Sequence, residues 1–496
     1  MLCASSNAWA NKSRLFMELS PEYFTFSRAW FISEDMRKIP ALLLTACLLA
    51  LPVSGTAAPL SLPRSMPERP GMAALQTVLR DLAGKRMEIL SIQRELLSRP
   101  AIGPEAGGRG EEDKANWLTA YLAEKGVPLV ERLDSVDRVQ SLESGSARDV
   151  RPNILAIYPG RHGLEKGRTL WIVCHMHVAH PGPPELWQGS PWKLRVEGNT
   201  IYGRGVMDNY QSITAALLLL ESLSRNKLTP DLNLGLVLHA QNSGFRHVLQ
   251  TRPDLFMAED LYLVPDFGSP DGMAVSLAEK GFLWLKLTFH GESRHASEGR
   301  GRFSALAAGA ELIHRLPELG RDFPGQDELF ADPVPACTPT QAATSPGGIN
   351  SVASSYSLHL DCRFIHPHEA EALEEKTAAL ARSLEQEHGV KSELAVLARF
   401  PGAAPTPPDS EIVQALRRAV GKALPGTGPL IAQGSNTNTA ASILREKGLP
   451  VAAWAKINPA NRQIANEYAY IEDHLDEARV FARLLFDQEI PSAERP

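Results

Sequence analysis

Apolar residues recur along the first half of this chain in two alternating patterns. Helical spacing predicts amphipathic helices over residues 71–98, 114–125 and 208–224. Between and after them, short apolar runs rich in β-branched residues predict buried strands at 153–158, 169–177, 232–238 and 261–264. Strands that alternate with helices are typical of a mostly parallel sheet with helices on both faces. The first half therefore predicts an α/β domain.

The pattern changes near residue 282. Residues 282–290 alternate between apolar and polar, which favours a strand with one solvated face. The following segments predict, in order, a helix, two strands, a helix and a strand, at 303–315, 341–352, 355–364, 369–387 and 392–399. The order βαββαβ is typical of a ferredoxin-like unit. We therefore predict that residues 282–398 form a smaller domain inserted between two parts of a larger one, 75–281 and 399–490.

The N-terminal segment has the layout of a secretory leader. Residues 36–58 begin with basic side chains, continue with a short apolar run and end in small residues. We predict that residues 1–58 are a leader that contains a signal peptide and that translation starts at Met36. Residues 59–74 are predicted to form a linker. This predicts a periplasmic or secreted protein. Lipid attachment at Cys47 is the weaker alternative, since the residues after it are strongly apolar.

Composition narrows the classes of partner. The 496-residue chain has a net charge of −6 and no basic segment, which argues against nucleic acid as a partner. No segment after the leader is long and apolar enough to predict a transmembrane span. Three cysteines lie beyond the leader, Cys174, Cys337 and Cys362. They allow one disulfide at most, and their spacing does not say which pair forms it.

Candidate chemistry lies at the ends of the predicted strands. His175 ends one strand, Asp266 ends another, and Asp208 opens a helix after a glycine-rich turn. Ligands bind beyond the carboxyl ends of strands in open α/β sheets, so these side chains are predicted to converge. One imidazole and two carboxylates suit Zn²⁺ or a similar divalent ion. Taken singly, each residue also has a structural explanation: a hydrogen-bonded core histidine, a helix N-cap and a turn aspartate.

The segment from His175 to Asp208 resembles the zinc-binding stretch of the aminoacylase, glutamate carboxypeptidase and succinyl-diaminopimelate desuccinylase family of zinc metallopeptidases. The matching residues are His175, Val178, Pro181, Trp187, Pro191, Trp192, Tyr202, Gly203, Arg204, Gly205 and Asp208. The resemblance implies a zinc-peptidase-like mixed sheet flanked by helices, with an inserted ferredoxin-like lid and dimerisation domain. It also implies a homodimer formed through that lid, and a small peptide or N-acyl amino acid as substrate.

The resemblance further implies a two-zinc centre, of which this chain keeps one half. His175, Asp208 and Asp266 would hold the first ion. The second ion would share Asp208 and use two further ligand positions, but these are amides here, Asn242 and Gln463. The position of the family's general base is Gln241, which cannot take a proton from water. General acid–base groups contribute roughly 10²–10⁴-fold in rate.

Three residues of the predicted lid complete the resemblance. His295 would polarise the scissile carbonyl in the partner subunit, and Asn350 with Arg363 would hold a substrate carboxylate, for which a guanidinium offers a bidentate fork. As structural alternatives, the three would be a surface histidine, a turn asparagine and a strand-edge ion pair.

The substitutions leave two hypotheses open. His177, which stands where the family has an aspartate that orients the first histidine, could join a remodelled four-ligand site for one ion, with Glu467 or Glu185 as a new base. Loss of such an orienting group costs roughly 10–100-fold in affinity or activity. Alternatively, the chain holds no metal and is a non-catalytic extracytoplasmic protein that binds peptide-like ligands or a partner. The sequence thus predicts either a metal-dependent amide hydrolase or a pseudoenzyme.

Overall fold

The computed structural model describes residues 70–104, 107–136, 150–299, 303–321, 323 and 327–487. The predicted leader, its signal peptide, Met36, Cys47 and most of the linker lie outside these residues. All described residues belong to one compact unit. In the described part of the chain, no helix is both long and apolar enough to cross a membrane.

Helices and strands alternate along the unit. The helices are α1 (Pro70–Leu82), α2 (Arg86–Leu97), α3 (Glu112–Glu124), α4 (Gly163–Lys166), α5 (Tyr210–Arg225), α6 (Asn242–Thr251), α7 (Ala296–Gly299), α8 (Ala305–Arg315), α9 (Pro367–His388), α10 (Glu411–Ala423), α11 (Ala440–Glu446) and α12 (Ile471–Leu485). The strands are β1 (Leu129–Arg132), β2 (Ser135–Val136), β3 (Val150–Arg151), β4 (Ile154–Tyr158), β5 (Thr169–His175), β6 (Arg195–Glu197), β7 (Thr200–Tyr202), β8 (Asn233–His239), β9 (Leu261–Gly268), β10 (Ala274–Glu279), β11 (Gly281–His290), β12 (Ala336–Thr344), β13 (Ser355–Phe364), β14 (Lys391–Phe400), β15 (Ile431–Ser435), β16 (Val451–Ala455) and β17 (Tyr468–Tyr470).

A large mixed sheet of eight strands carries the core, in the order β1-β4-β8-β5-β9-β16-β10-β15. Its central strands β8, β5, β9 and β16 run parallel to one another, whereas β1 with β4, β4 with β8 and β16 with β10 pair antiparallel. The strands β5 and β8 are buried along their whole length, because helices cover both faces. The α/β class and the mixed sheet flanked by helices are thus confirmed.

A second sheet of four antiparallel strands, which we call the small sheet, has the order β12-β13-β11-β14. Along β11 every second side chain is buried, from Leu283 through Leu285 and Leu287 to Phe289. These apolar side chains pack with α8 and α9 into a core cluster separate from that of the large sheet. The order of elements from β11 to β14 is strand, helix, strand, strand, helix, strand once the short α7 is set aside.

Two local expectations are wrong. The helix expected over residues 71–98 is two helices, because Gly84 lies in a turn between α1 and α2 and glycine costs about 1 kcal/mol inside a helix. The strand expected at 341–352 is β12, which begins and ends earlier. Its register is fixed by the pairing of Cys337 with Cys362, and residues 345–354 form the connection to β13.

Cys337 and Cys362 form a disulfide between these directly opposed residues of β12 and β13, whereas Cys174 is a buried free thiol. Reduction is expected to lower the free energy of unfolding by about 2–4 kcal/mol, because the bond restricts the unfolded chain. Urea unfolding with and without dithiothreitol measures this difference. The difference should persist in Cys174→Ala and vanish when Cys337→Ser and Cys362→Ser are combined, and an equal effect of reductant in all three proteins would contradict it.

A buried carboxyl group ties helix α12 to helix α5. The side chain of Glu477 accepts hydrogen bonds from Gln211 Nε2 at 2.6 Å, the Ser212 hydroxyl at 2.7 Å and the Lys456 amide at 3.0 Å. Burial raises the pKa of Glu477 from its ordinary 4.5 to about 8. The folded protein therefore holds a proton that the unfolded chain releases across this range.

The proton on Glu477 predicts a stability that falls as pH rises between about 5 and 8. Where the folded state binds one proton more than the unfolded state, the free energy of unfolding drops by about 1.4 kcal/mol per pH unit. Glu477→Gln, which carries no titrating proton, is expected to remove this one-proton contribution and leave that of Glu467, whose pKa is also raised, to about 7. Urea unfolding at several pH values measures it, with the exposed Glu472→Gln as control. Equal slopes in the two variants would contradict the prediction.

Candidate metal centre

The three predicted ligands meet at the carboxyl edge of the large sheet. His175 ends β5 and Asp266 lies near the end of the parallel neighbour β9, while Asp208 lies in the turn that precedes α5. Each offers a ligand atom, and these atoms lie within 4.8 Å of one another. Within the described ranges, no other side chain of histidine, cysteine, aspartate or glutamate belongs to this group.

The His175 ring is oriented by the backbone. Its Nδ1 lies 3.0 Å from the carbonyl oxygen of His177, and because a carbonyl can only accept, Nδ1 carries the proton. Nε2 faces Asp208 Oδ1 at 3.2 Å, to which it donates a hydrogen bond when it is protonated as well, and Asp266 Oδ2 at 3.9 Å. A bound cation would take the place of that proton. The backbone carbonyl of His177 therefore orients this ring in a chain that has no aspartate at position 177.

The protonation states at the centre depend on burial and on the neighbouring charged groups, which act in opposite directions. Burial disfavours the charged forms, but for His175 the hydrogen bond to Asp208 and the two negative charges outweigh it and raise the pKa. For Asp208, burial is outweighed by Arg462 and His175, which lower the pKa, whereas burial prevails at Asp266 and raises its pKa. The centre thus presents an anionic Asp208 next to an imidazole.

Two further imidazoles lie beside the centre without joining it. His177 Nδ1 donates to the Ala240 carbonyl at 2.6 Å, and His239 Nδ1 donates to the Gln241 carbonyl at 3.0 Å. Burial lowers both pKa values, that of His239 to about 3, so both rings are neutral. The His177 ring lies 4.4 Å from that of His175, centroid to centroid, and is tilted by 36° against it. Its nitrogens are not among the converging ligand atoms.

The three substituted positions take part in structural contacts. Gln241 precedes α6, and its carbonyl accepts from the Phe245 amide as well as from His239. Asn242 Nδ2 donates to the Asn438 carbonyl at 3.3 Å, and the Gln463 carbonyl accepts from an arginine at 3.0 Å. The contact of Asn242 thus engages its side chain, whereas the contacts of Gln241 and Gln463 are made by their backbone carbonyls.

Arg462, which the sequence analysis missed, lies across the two carboxylates from His175. Its Nη2 donates to Asp266 Oδ1 and to the Asp266 carbonyl, both at 2.8 Å. Its Nε is buried, lies 3.5 Å from Asp208 Oδ2 and has no hydrogen-bond partner among the described residues. Its position next to the substituted Gln463 was the signal that could have identified it.

Glu467 holds the turn that carries Asp208. Its Oε2 pairs with Arg204 Nη1 at 2.7 Å, and its Oε1 accepts from the amides of Gly205, Met207 and Asp208 at 3.1–3.2 Å. Burial raises its pKa to about 7, although Arg204 acts in the opposite direction. Both oxygens are engaged, so the structure contradicts a role for Glu467 as a free base. Glu185, the other candidate, lies in an exposed turn, Pro184–Leu186.

The structure brings two of the three predicted lid residues together. Asn350 Nδ2 donates to His295 Nε2 at 3.2 Å, and His295 Nδ1 lies 2.7 Å from the Ser297 hydroxyl, all three side chains being exposed. Arg363 is held elsewhere. Its guanidinium makes a bidentate pair with Asp361 at 2.7 and 2.8 Å and donates to Asn438 Oδ1 at 2.6 Å. No contact in the described part of the chain joins Arg363 to Asn350 or His295.

One imidazole and two carboxylates at the carboxyl edge of a mixed, helix-flanked sheet define the class of metallohydrolase-like α/β proteins. The chain belongs to peptidase family M20/M25/M40, which it matches over residues 171–487. The family that the sequence motifs indicated is thereby confirmed.

Several relatives are similar over most of their length. An uncharacterised metallohydrolase of Methanococcus maripaludis is 28% identical over 80% of this chain and 98% of its own. One of Methanocaldococcus jannaschii is 27% identical over the same shares. The succinyl-diaminopimelate desuccinylase of Halorhodospira halophila is 25% identical over 77% of this chain and 94% of its own.

Solved structures share the fold at lower identity. Human carnosine dipeptidase 1 superimposes with a TM-score of 0.66 at 13% identity, over 83% of this chain and 99% of its own. The di-peptidase Dug1p of Saccharomyces cerevisiae gives 0.67 at 12% identity, over 83% and 98%. At such identities these likenesses show the fold alone.

Proposed function

We propose that this protein is a metal-dependent hydrolase of amide bonds in small peptides or N-acyl amino acids. The observation that carries the proposal is the convergence of His175, Asp208 and Asp266 within 4.8 Å, with Nε2 of the imidazole turned toward the carboxylates. Nitrogen and oxygen donors of this kind fit Zn²⁺ or a similar divalent ion. An ion bound there would polarise a carbonyl and acidify water.

The residues around the proposed metal site have different roles in this proposal. The His177 carbonyl fixes the tautomer of His175, and Glu467 fixes the turn that presents Asp208. His295 and Asn350 form an exposed polar pair suited to a substrate carbonyl or carboxylate. Arg363 could reach a substrate carboxylate only by leaving Asp361, so we assign it to the support of the loop at Asn438 instead.

The substrate class is supported by similarity alone. Relatives of the chain include succinyl-diaminopimelate desuccinylases, and its structural neighbours include dipeptidases. An acylated or peptide-bonded amino acid is common to both descriptions. We therefore propose that this chemistry, rather than an ester or a phosphate, is what the site acts on.

We also propose that the protein is exported and forms a homodimer through the small sheet. The leader pattern at residues 36–58 supports export, and the Cys337–Cys362 disulfide suits an oxidising compartment. Fractionation of the producing cells and light scattering of the purified protein test the two statements. A cytosolic monomer would contradict both.

Metal dependence of turnover tests the proposed activity. The purified protein is stripped with a chelator, reloaded with Zn²⁺, Mn²⁺ or Co²⁺, and assayed against dipeptides and N-acetyl and N-succinyl amino acids. We expect turnover that is lost on stripping and restored by at least one ion. Turnover that survives complete removal of metal would contradict the proposal.

A second candidate function is the binding of peptide-like ligands without catalysis. Gln241, Asn242 and Gln463 favour it, because amides stand where an acid–base group and two metal ligands would be needed. It predicts that the same panel of compounds raises the melting temperature while every compound stays intact. Hydrolysis by metal-loaded protein would exclude it.

A further inference from the structure

Each carboxylate of the metal centre divides its two oxygens between two partners. Asp208 Oδ1 and Asp266 Oδ2 face the His175 imidazole, at 3.2 and 3.9 Å from Nε2. Asp208 Oδ2 and Asp266 Oδ1 face Arg462 instead, at 3.5 Å from Nε and 2.8 Å from Nη2. A pair of carboxylates thus lies between an imidazole on one side and a guanidinium on the other.

The Arg462 guanidinium is fixed in this place. Its Nη2 holds both the side chain and the backbone carbonyl of Asp266, and only a fifth of the side chain is exposed. A guanidinium keeps its positive charge at every physiological pH. The carboxylate oxygens that turn away from His175 therefore already have a permanent cation.

We infer that Arg462 occupies the position of a second cation, so that the centre takes one divalent ion and not two. The inference rests on the proposed metal-dependent function. One divalent ion neutralises the two carboxylates, and the guanidinium adds a further positive charge. A second divalent ion would meet that charge at a few ångströms, with Asn242 and Gln463 offering no anionic ligand.

The substituted positions and Arg462 then have one explanation. If the Arg462 side chain supplies the second positive charge, ligands for a second metal ion are not needed. The side chain of Asn242 accordingly makes the structural hydrogen bond described above. The centre is, in this account, a mononuclear site with a built-in positive charge.

The number of bound ions per chain tests the inference directly. The stripped full-length protein is dialysed against increasing Co²⁺ or Zn²⁺, and bound metal is measured by elemental analysis. We expect one ion per chain in the wild type and in Arg462→Lys, which keeps the charge. In Arg462→Gln, whose amide can still donate to Asp266, we expect the single ion to bind at least about tenfold more tightly, because a like charge is removed.

Arg479→Gln is the matched control, since Arg479 also bridges two carboxylates, those of Glu472 and Asp476, but on α12. Its metal binding should equal that of the wild type. Two ions of similar affinity in the wild type would overturn the inference and leave the proposed hydrolase intact. Unchanged or weaker binding in Arg462→Gln would also overturn the inference alone, whereas a wild type that binds no ion would overturn the proposed function as well.

Discussion

Replacing His175 with alanine is expected to abolish hydrolysis, because it removes the single nitrogen ligand of the proposed metal site. Loss of an outer hydrogen-bond partner of a ligand costs roughly 10–100-fold in affinity or activity, and loss of the ligand itself should exceed this. The remaining Asp208 and Asp266 would pair with Arg462 alone. Metal content after dialysis and kcat/KM for the best substrate both measure the loss.

His239→Ala is the matched control for this experiment. His239 ends the neighbouring parallel strand in register with His175, is buried, and also donates from Nδ1 to a backbone carbonyl. It is not part of the converging ligand group. Both variants should lose similar stability, but only His175→Ala should lose metal. Equal metal content and turnover in the two would contradict the assignment of the site.

The strands and the ligand residues were predictable because both depend on local sequence. Apolar runs located β4, β5, β8 and β9 to within a few residues, and later strand-like segments located β13 and β14. The alternation along β11 predicted a strand with one solvated face. His175, Asp208 and Asp266 were predictable as a group because the carboxyl ends of parallel strands meet at one edge. The edge strand β1 and the hairpin of β6 and β7 carry too few apolar residues to stand out.

The support around the centre was not predictable, because it depends on contacts between distant segments. A backbone carbonyl orients His175, and no sequence pattern encodes a carbonyl as a partner. Glu467 lies more than 250 residues from Arg204 and the turn that it holds. In the sequence, Glu467 is an acidic residue next to a motif and therefore a candidate base. Its ion pair with Arg204 and its three hydrogen bonds from backbone amides show that it has a structural role.

The amide substitutions have a different meaning once Arg462 is included. From the sequence alone, Asn242 and Gln463 indicated the loss of a metal ion. The structure adds a guanidinium against the same carboxylates. The change from ligand to amide is therefore compatible with a centre in which one ion neutralises the two carboxylates. The metal affinity of Arg462→Gln and the turnover of the wild type address these two explanations separately.

Glu467→Ala is expected to cost about 3–5 kcal/mol in the free energy of unfolding, since it leaves the buried Arg204 without its partner. It also removes the acceptor of the amides of Gly205, Met207 and Asp208. The turn that presents Asp208 should loosen, so metal affinity should fall although no ligand has changed. Urea unfolding at pH 8, where the carboxyl is ionised, and metal titration measure the two effects.

One variant separates the charge of Glu467 from its hydrogen bonds, and a second serves as the control for an exposed ion pair. Glu467→Gln keeps an oxygen for the three amides but leaves Arg204 unpaired, so its cost should lie between wild type and Glu467→Ala. Glu472→Ala breaks a half-exposed pair with Arg479 on the same helix that follows the site, and should cost less than about 1 kcal/mol. If Glu467→Ala lowered the free energy of unfolding no more than Glu472→Ala, the Glu467 carboxylate would not be what holds the turn. The position of Asp208 would then depend on the sheet edge alone.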